Sequence, residues 1–372
     1  MIGPPRKLIQ GVVKWGLLAA VFVVVLELCA RVDDWLAWRA PLWGHYSPAL
    51  LTVNDEFGIH SRPAAQFEKW KLNAYGFRGP EITEEKPAGV IRVVVIGASE
   101  TFGLYESPGK EYPAQMQQML DAARPGRYQV LNAGCAGMTL PRFRHYFGVW
   151  IRRFAPDVVI IYPTPASYVA DTPPKSEFQV GGAPEKELPE SLRLAGKTKI
   201  LFKRFIPASI QRYVRERQLD RVIRRRGSGW QWSAAPPERP KLFRRYLTEL
   251  IDTVEKAGVR VVLATHANRF PRDRGAWRVV DRAQMAAWRE SYPRASAACL
   301  LDMETQGNRV VRELAAPRGI PVADVAAAVP RKPENFADFA HFTDRGARLA
   351  ARAFVDAVLA LERDGKLAVR AH

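Results

Sequence analysis

Ile91-Arg92-Val93-Val94-Val95-Ile96-Gly97-Ala98-Ser99-Glu100-Thr101-Phe102-Gly103 is the stretch on which the fold turns. Ile91, Val93, Val94, Val95 and Ile96 make a nearly unbroken apolar, β-branched run, which suits a strand buried on both faces of a parallel sheet. The run stops abruptly at Gly97-Ala98-Ser99. Glycine permits a sharp turn there, and the Ser99 hydroxyl then stands at the carboxyl end of the sheet, where open α/β folds place their sites.

Outward from this strand the α/β alternation continues. The spacing predicts helices over 112–124 and 140–154, with strands over 128–131 and 157–162 between and after them. Further on it predicts a helix over 241–257, a strand over 259–264, a broken helix over 285–315, a short strand over 320–325 and a closing helix over 347–361. Strands interleaved with helices at this spacing imply right-handed crossovers and an α/β fold, a three-layer α/β/α sandwich around a parallel sheet.

The chain's second informative stretch is Asp338-Phe339-Ala340-His341-Phe342-Thr343. At three-residue spacing a carboxylate reaches an imidazole, fixes its tautomer and stabilises the imidazolium formed when it takes a serine proton. Ser99, His341 and Asp338 therefore supply a nucleophile, a base and an orienting acid. His266 and Asp324 also stand at predicted strand ends. Asp324 is too far along the chain from His341 for its orientation to be explained, and His266 reads as a pocket-lining or satisfied loop residue.

These residues resemble the SGNH (GDSL-type) hydrolases. Gly97-Ala98-Ser99-Glu100-Thr101 is similar to that family's first block with alanine in place of aspartate, and Asp338-Phe339-Ala340-His341 matches its closing Asp-x-x-His. The order Ser, Asp, His fits as well. Asn132-Ala133-Gly134-Cys135-Ala136-Gly137 resembles the second block, which implies that the Gly134 N–H serves the oxyanion. The third block would carry an oxyanion asparagine. Here Thr164-Pro165-Ala166 stands instead, leaving Thr164, Ser167 or Asn268 as substitutes. The resemblance covers roughly 90–360 and implies an SGNH/flavodoxin-like sheet, acyl-serine chemistry, and O-acyl esters, often acetyl groups on carbohydrate, as substrates.

At 372 residues there is ample chain for a core, and a hydrophobic content of 47% describes a folded protein. The net charge of +18 favours anionic neighbours such as lipid head groups, acidic polysaccharide or nucleic acid. Cys29, Cys135 and Cys299 form no metal-ligand spacing and no redox pair, so no metal or cofactor is expected. Cys135 and Cys299 either pair in an oxidising compartment or are two small buried residues; the second is favoured.

Residues 8–30 are mostly apolar, long enough to span about 30 Å of hydrocarbon. Arg6, Lys7 and Lys14 precede or enter this segment, so the positive-inside rule puts 1–7 in the cytoplasm and the rest beyond an inner membrane. A cleavable signal is the rival, but Leu28-Cys29-Ala30 is a poor cleavage site. Residues 31–90 read as a juxtamembrane strap, in which Asn73-Ala74-Tyr75-Gly76-Phe77-Arg78-Gly79 resembles a segment of membrane-tethered bacterial SGNH proteins. The catalytic domain is expected over 91–362, interrupted by an insertion over 171–240, with 363–372 as a tail. Residues 191–245 carry sixteen Lys and Arg against three Asp and Glu. Leu201, Phe202, Phe205, Ile206, Ile210, Tyr213 and Val214 recur among them at helical spacing, which describes a basic amphipathic helix lying on the bilayer, flanking a cleft or packing on the domain.

The expected function is thus a membrane-anchored serine esterase or O-acyltransferase acting on acylated envelope or exported carbohydrate. A catalytically inactive scaffold that binds polysaccharide or an assembly partner is the alternative. Nucleic acid is not expected as a partner, since the catalytic part is read as outside the cytoplasm, and no protein partner is indicated.

Overall fold

The computed structural model describes residues 6–170, 192–227 and 229–367, apart from the side chains of 6–9 and 199–204. The chain opens with α1, Arg6–Trp38. Its Gln10–Trp38 portion is long and apolar enough to cross a membrane, with a mean hydropathy of 2.3, a description that a signal sequence also meets. The strap follows as two small hairpins, β1 (Thr52–Asp55) with β2 (Gly58–Ser61), and β3 (Gln66–Phe67) with β4 (Trp70–Lys71).

The α/β core begins with β5, Ile91–Gly97, then the one-turn helix α2, Ser99–Phe102, then α3, Tyr112–Ala123, and β6, Tyr128–Asn132. α4 is Leu140–Val149, and β7 is Val158–Tyr162. Two helices, α5 (Arg193–Phe205) and α6 (Ala208–Arg226), occupy the expected insertion. Its opening Thr172-Pro173-Pro174, and the side chains of Leu201 and Phe202, lie outside the described residues. α7 (Glu238–Lys256), β8 (Arg260–Ala264), α8 (Val279–Ser291), α9 (Ala297–Ala315), β9 (Val322–Ala323), α10 (Val325–Ala328) and α11 (Asp344–Arg363) complete the chain.

The sheet runs β6-β5-β7-β8-β9, with every pairing parallel. This is the doubly wound order in which the chain reverses direction across the sheet between its first and third strands, here β5 and β7. Side chains of a strand alternate between faces. Val93 and Val95 accordingly pack with Tyr112, Met116, Phe354 and Val358 of α3 and α11, while Val94 and Ile96 face the layer containing Phe143, Leu247 and Met303 of α4, α7 and α9. The three-layer α/β/α expectation is met. The broken helix resolves into α8 and α9, parted at Pro293 and restarted by Ser296, whose hydroxyl accepts from the Cys299 N–H. Cys135 and Cys299 are both buried free thiols, not a disulfide.

α5 starts against α1. The Glu27 carboxylate accepts the N–H groups of Arg193 and Leu194 at 3.1 and 2.9 Å, so an anion from α1 caps the helix N-terminus. One turn on, Lys197 pairs with Asp33 and with Asp34. Because 193 and 194 meet 27 while 197 meets 33 and 34, α5 runs alongside the polar end of α1 and away from its apolar stretch.

Candidate active site

Ser99 is set at the reversal point of the sheet. Gly97 is required there by packing: a Cβ would lie 1.9 Å from the Thr101 hydroxyl and 3.0 Å from the Tyr162 carbonyl. The chain then folds back into α2, held from several directions. Thr101 Oγ1 lies 2.7 Å from the Tyr112 hydroxyl. The Asn132 amide donates to the Thr101 carbonyl at 3.0 Å. Arg78, from the strap, donates to the carbonyl of Phe102 at 2.6 Å and to that of Gly103. Phe102 itself packs in the strap's own apolar cluster with Tyr46, Leu51, Phe67 and Leu72. The Asn73–Gly79 segment thus clamps the far end of the Ser99 helix.

Ser99 Oγ lies 2.8 Å from His341 Nε2. On the other side of the ring, His341 Nδ1 is 2.9 and 2.8 Å from the two carboxylate oxygens of Asp338. Asp338 Oδ1 also accepts the N–H groups of Ala340 and His341, each at 3.0 Å, which locks the Asp-x-x-His turn. With the carboxylate on Nδ1, that nitrogen carries the proton and Nε2 is free to accept from the serine. Asp324 is elsewhere, bonded to Thr265 and Arg312. Burial alone would lower the His341 pKa; the Asp338 hydrogen bond and the charges of Glu100, Asp338 and Glu106 outweigh it and hold it above the ordinary value. Tyr105, about half exposed, stands with its ring 5.3 Å from the imidazole. Its loop is pinned by the strap's Lys69, which donates to the Tyr105 and Glu106 carbonyls at 2.8 and 2.9 Å.

The oxyanion candidates divide differently from the expectation. The Gly134 N–H is not free: it donates to Asn132 Oδ1 at 3.0 Å, and a Cβ at Gly134 would strike the Phe102 nitrogen at 2.4 Å. Gly134 is a packing glycine against α2. Three residues on, Gly137 is exposed, has φ +74°, and its N–H has no partner among the described residues. The Ser99 N–H opens α2 and has no intrahelical acceptor. Ser167 is engaged, its hydroxyl donating to the Thr164 carbonyl at 2.7 Å. Asn268 lines a separate cavity whose walls include neither Ser99 nor His341. Thr164 has a buried hydroxyl with no hydrogen-bond partner. Gly97 and Tyr162 are register partners on β5 and β7, so Ser99 and Thr164 each lie two residues beyond a matched pair.

No family model matches the chain. No curated protein matches it either. Among solved structures it is similar to LAE5, an alpha/beta hydrolase enzyme from the metagenome of Lake Arreo, at 17% identity and a TM-score of 0.43 over 74% of this chain and 98% of that one. It is similar also to the lipase/acylhydrolase from Enterococcus faecalis, at 16% identity and a TM-score of 0.43 over 76% of this chain and 100% of that one. An acetyl xylan esterase, AlAXEase, follows at 15% identity and a TM-score of 0.41, over 72% and 100%. At this distance the likeness does not bear on activity, which rests on the side chains.

Beside the triad lies a charged chain that sequence reading did not assemble. His266, fully buried, has Nδ1 2.6 Å from Glu304 Oε2 and Nε2 3.2 Å from Glu100 Oε1. Glu100 Oε2 in turn is 3.3 Å from Ser99 Oγ, and Glu304 Oε1 accepts the N–H of Ala166 at 3.1 Å. Burial opposes charge on His266, but the Glu304 charge and the Glu100 and Glu304 hydrogen bonds push it up to about 10. Burial also opposes charge on Glu100, and the His266 bond with the two histidine charges brings it down to about 2. His266 is therefore an imidazolium at neutral pH, paired with the ionised Glu100 on one side and hydrogen-bonded to Glu304 on the other. The signal in the sequence was Glu100 itself, an acid in a turn otherwise built of small and apolar residues.

Proposed function

We propose that the chain is a serine esterase or O-acyltransferase that works through an acyl-serine. The hydrogen-bonded line Ser99–His341–Asp338, with a 2.8 Å contact between hydroxyl and imidazole, carries this reading. His341 Nε2 takes the hydroxyl proton as Ser99 Oγ bonds to the ester carbonyl carbon. The oxyanion is met by the N–H of Ser99 and that of Gly137, with the unpartnered Thr164 hydroxyl as third donor in place of the asparagine of the SGNH family. When the tetrahedral intermediate collapses, His341 returns the proton to the leaving alkoxide. Water or a sugar hydroxyl then attacks the acyl-serine, giving its proton to His341, and the same steps run in reverse to free Ser99.

The resemblance to SGNH hydrolases favours small O-acyl esters of carbohydrate, acetyl first. The apolar α1 with Arg6, Lys7 and Lys14 at its start favours an uncleaved inner-membrane anchor and a periplasmic or otherwise extracytoplasmic catalytic domain over 91–362. α5 against residues 27–34 of α1 favours a prop between anchor and domain over a helix lying on the bilayer. The inactive-scaffold reading has one observation on its side, Ala166 with its amide turned to Glu304 where the family carries its oxyanion asparagine.

The test is turnover of p-nitrophenyl acetate by the full chain in detergent, with acetylated xylo-oligosaccharide and unacetylated glycan offered as donor and acceptor. Ser99-dependent release of nitrophenol is expected, and partition of the acetyl group between water and glycan assigns hydrolysis or transfer. Release that is equal in wild type and Ser99→Ala, or absent from both, favours the scaffold.

A further inference from the structure

A second cavity, of about 470 Å³, opens beyond the carboxyl ends of β8 and β9, beside α9. Its walls include Asn268, Arg272, Glu304, Asn308, Arg312 and Arg331. Two of the charges are already spent within the chain. Both Glu304 oxygens are used, on His266 and on the Ala166 N–H. Arg312 is neutralised by Asp324, at 3.0 and 2.9 Å from its two oxygens.

Arg272 and Arg331 are not neutralised. Neither has a carboxylate within ion-pair distance among the described residues, and the only hydrogen bond of Arg331 is to the Phe270 carbonyl at 3.0 Å. Burial and the neighbouring Arg272 charge hold the Arg331 pKa down against the weaker pull of the Glu304 charge, so the two guanidiniums feel each other. Asn268 supplies an independent sign. It is only 3% exposed, and its Oδ1 accepts the Phe270 N–H at 3.2 Å, which fixes the amide's orientation. Its NH₂ group is then left with no acceptor among the described residues, on the wall of the cavity. Two guanidiniums without an ion-pair partner and an amide donor without an acceptor thus converge on one cavity, where the like charges of the arginines favour an anion between them. Arginine forks match carboxylate and phosphate oxygens in pairs.

We infer that this cavity is a binding site for a sugar-sized ligand bearing one carboxylate or phosphate, held by Arg272, Arg331 and the Asn268 amide. The volume falls within the usual span of small-ligand pockets, about 300–1,000 Å³. The site stands whether or not Ser99 is a nucleophile, since neither Ser99 nor His341 lines it. It borders the candidate active site through Glu304 and Asn308, both bonded to His266, which reaches Glu100 and so Ser99.

The experiment is calorimetric titration of the full chain in detergent with glucuronate, glucose 6-phosphate and glucose. Saturable binding of glucuronate identifies the anion as a carboxylate, binding of glucose 6-phosphate identifies it as a phosphate, and glucose is expected not to bind. Arg272→Gln and Arg331→Gln should each weaken the bound anion about tenfold or more, and Ser99→Ala should leave it unchanged. Arg272 is exposed, so its variant tests the site without disturbing the fold, and melting curves of both variants exclude loss by unfolding. Binding of glucose as tight as that of the anions, no binding of either anion, or affinity unchanged in Arg272→Gln would overturn the inference.

Discussion

Two loops leave the same edge of the sheet, in register, and they are built on opposite plans. The loop after β5 carries Ser99 and is fastened from outside: Tyr112, Asn132 and the strap's Arg78 each hold part of the one-turn helix that follows the serine. The loop after β7 carries Thr164 and Ala166 and is fastened from inside. The Ala166 N–H is drawn to Glu304, the Ser167 hydroxyl turns back to Thr164, and Pro165 fills the space over Gly307, where a Cβ would lie 2.4 Å away. The chain resembles the SGNH pattern where the reacting hydroxyl must be placed and departs from it at the accessory donor. There it spends its polar groups on a buried ion chain. A nucleophile's position is specified by several atoms at once, whereas a lost oxyanion donor can be replaced by any N–H or O–H that reaches the same point.

The contrast can be broken first at the nucleophile. Ser99→Ala should lower turnover of p-nitrophenyl acetate by about 10⁴-fold or more, and Asp338→Asn by about 10⁴, since the amide leaves the imidazole in the wrong tautomer. Steady-state kinetics on detergent-solubilised protein checks both. Thr164→Val asks the same of the inward-fastened loop. With its hydroxyl as an oxyanion donor, kcat should fall about 10²-fold while the melting temperature stays level or rises, because a buried unpaired hydroxyl has been removed.

The clamp on the Ser99 helix can be sharpened by Arg78→Lys. This keeps the charge beside Glu111, 3.5 Å from the guanidinium, but loses the fork that reaches two carbonyls. A fall of about tenfold in kcat with little change in KM is expected from a misplaced hydroxyl.

Acidity separates the loops further. His341 must be neutral to accept the serine proton, and its pKa is held above the usual histidine value. The acid limb of kcat/KM should therefore lie above about pH 6.5. Glu100→Gln removes a negative charge that favours the imidazolium, so the limb should move to lower pH. The ion chain acts on stability instead. A raised histidine pKa contributes stability that is complete below about 6.5 and is lost as pH rises through about 10. His266→Leu, which strands two buried carboxylates, should cost about 3–5 kcal/mol at pH 7 by denaturant melts and flatten that alkaline dependence.

Most of the fold was legible because its signals are local. The β-branched run at 91–96, the alternation after it and the closing amphipathic helix each announce their own element, and right-handed crossovers imply the layering of helices on both faces of the sheet. The triad was legible for the same reason, since Asp338 and His341 lie three residues apart and Ser99 ends a strand. The rest depends on which atoms are already taken. The sequence pointed to Gly134, and only the Asn132 side chain, folded back onto it, shows that its N–H is taken. The Glu100–His266–Glu304 chain joins residues from three distant segments, and the role of Arg78 needs the strap laid against α2. Nothing periodic marks any of these.

The central claim is that the Ser99 hydroxyl is the activated nucleophile, and covalent labelling with a fluorophosphonate, read by intact mass and peptide mapping, tests it most directly. One phosphonyl adduct per wild-type chain, mapped to Ser99 and lost in both Ser99→Ala and His341→Ala, is the expected result. A folded wild type that takes up no label, or a label mapped to another residue, would contradict it.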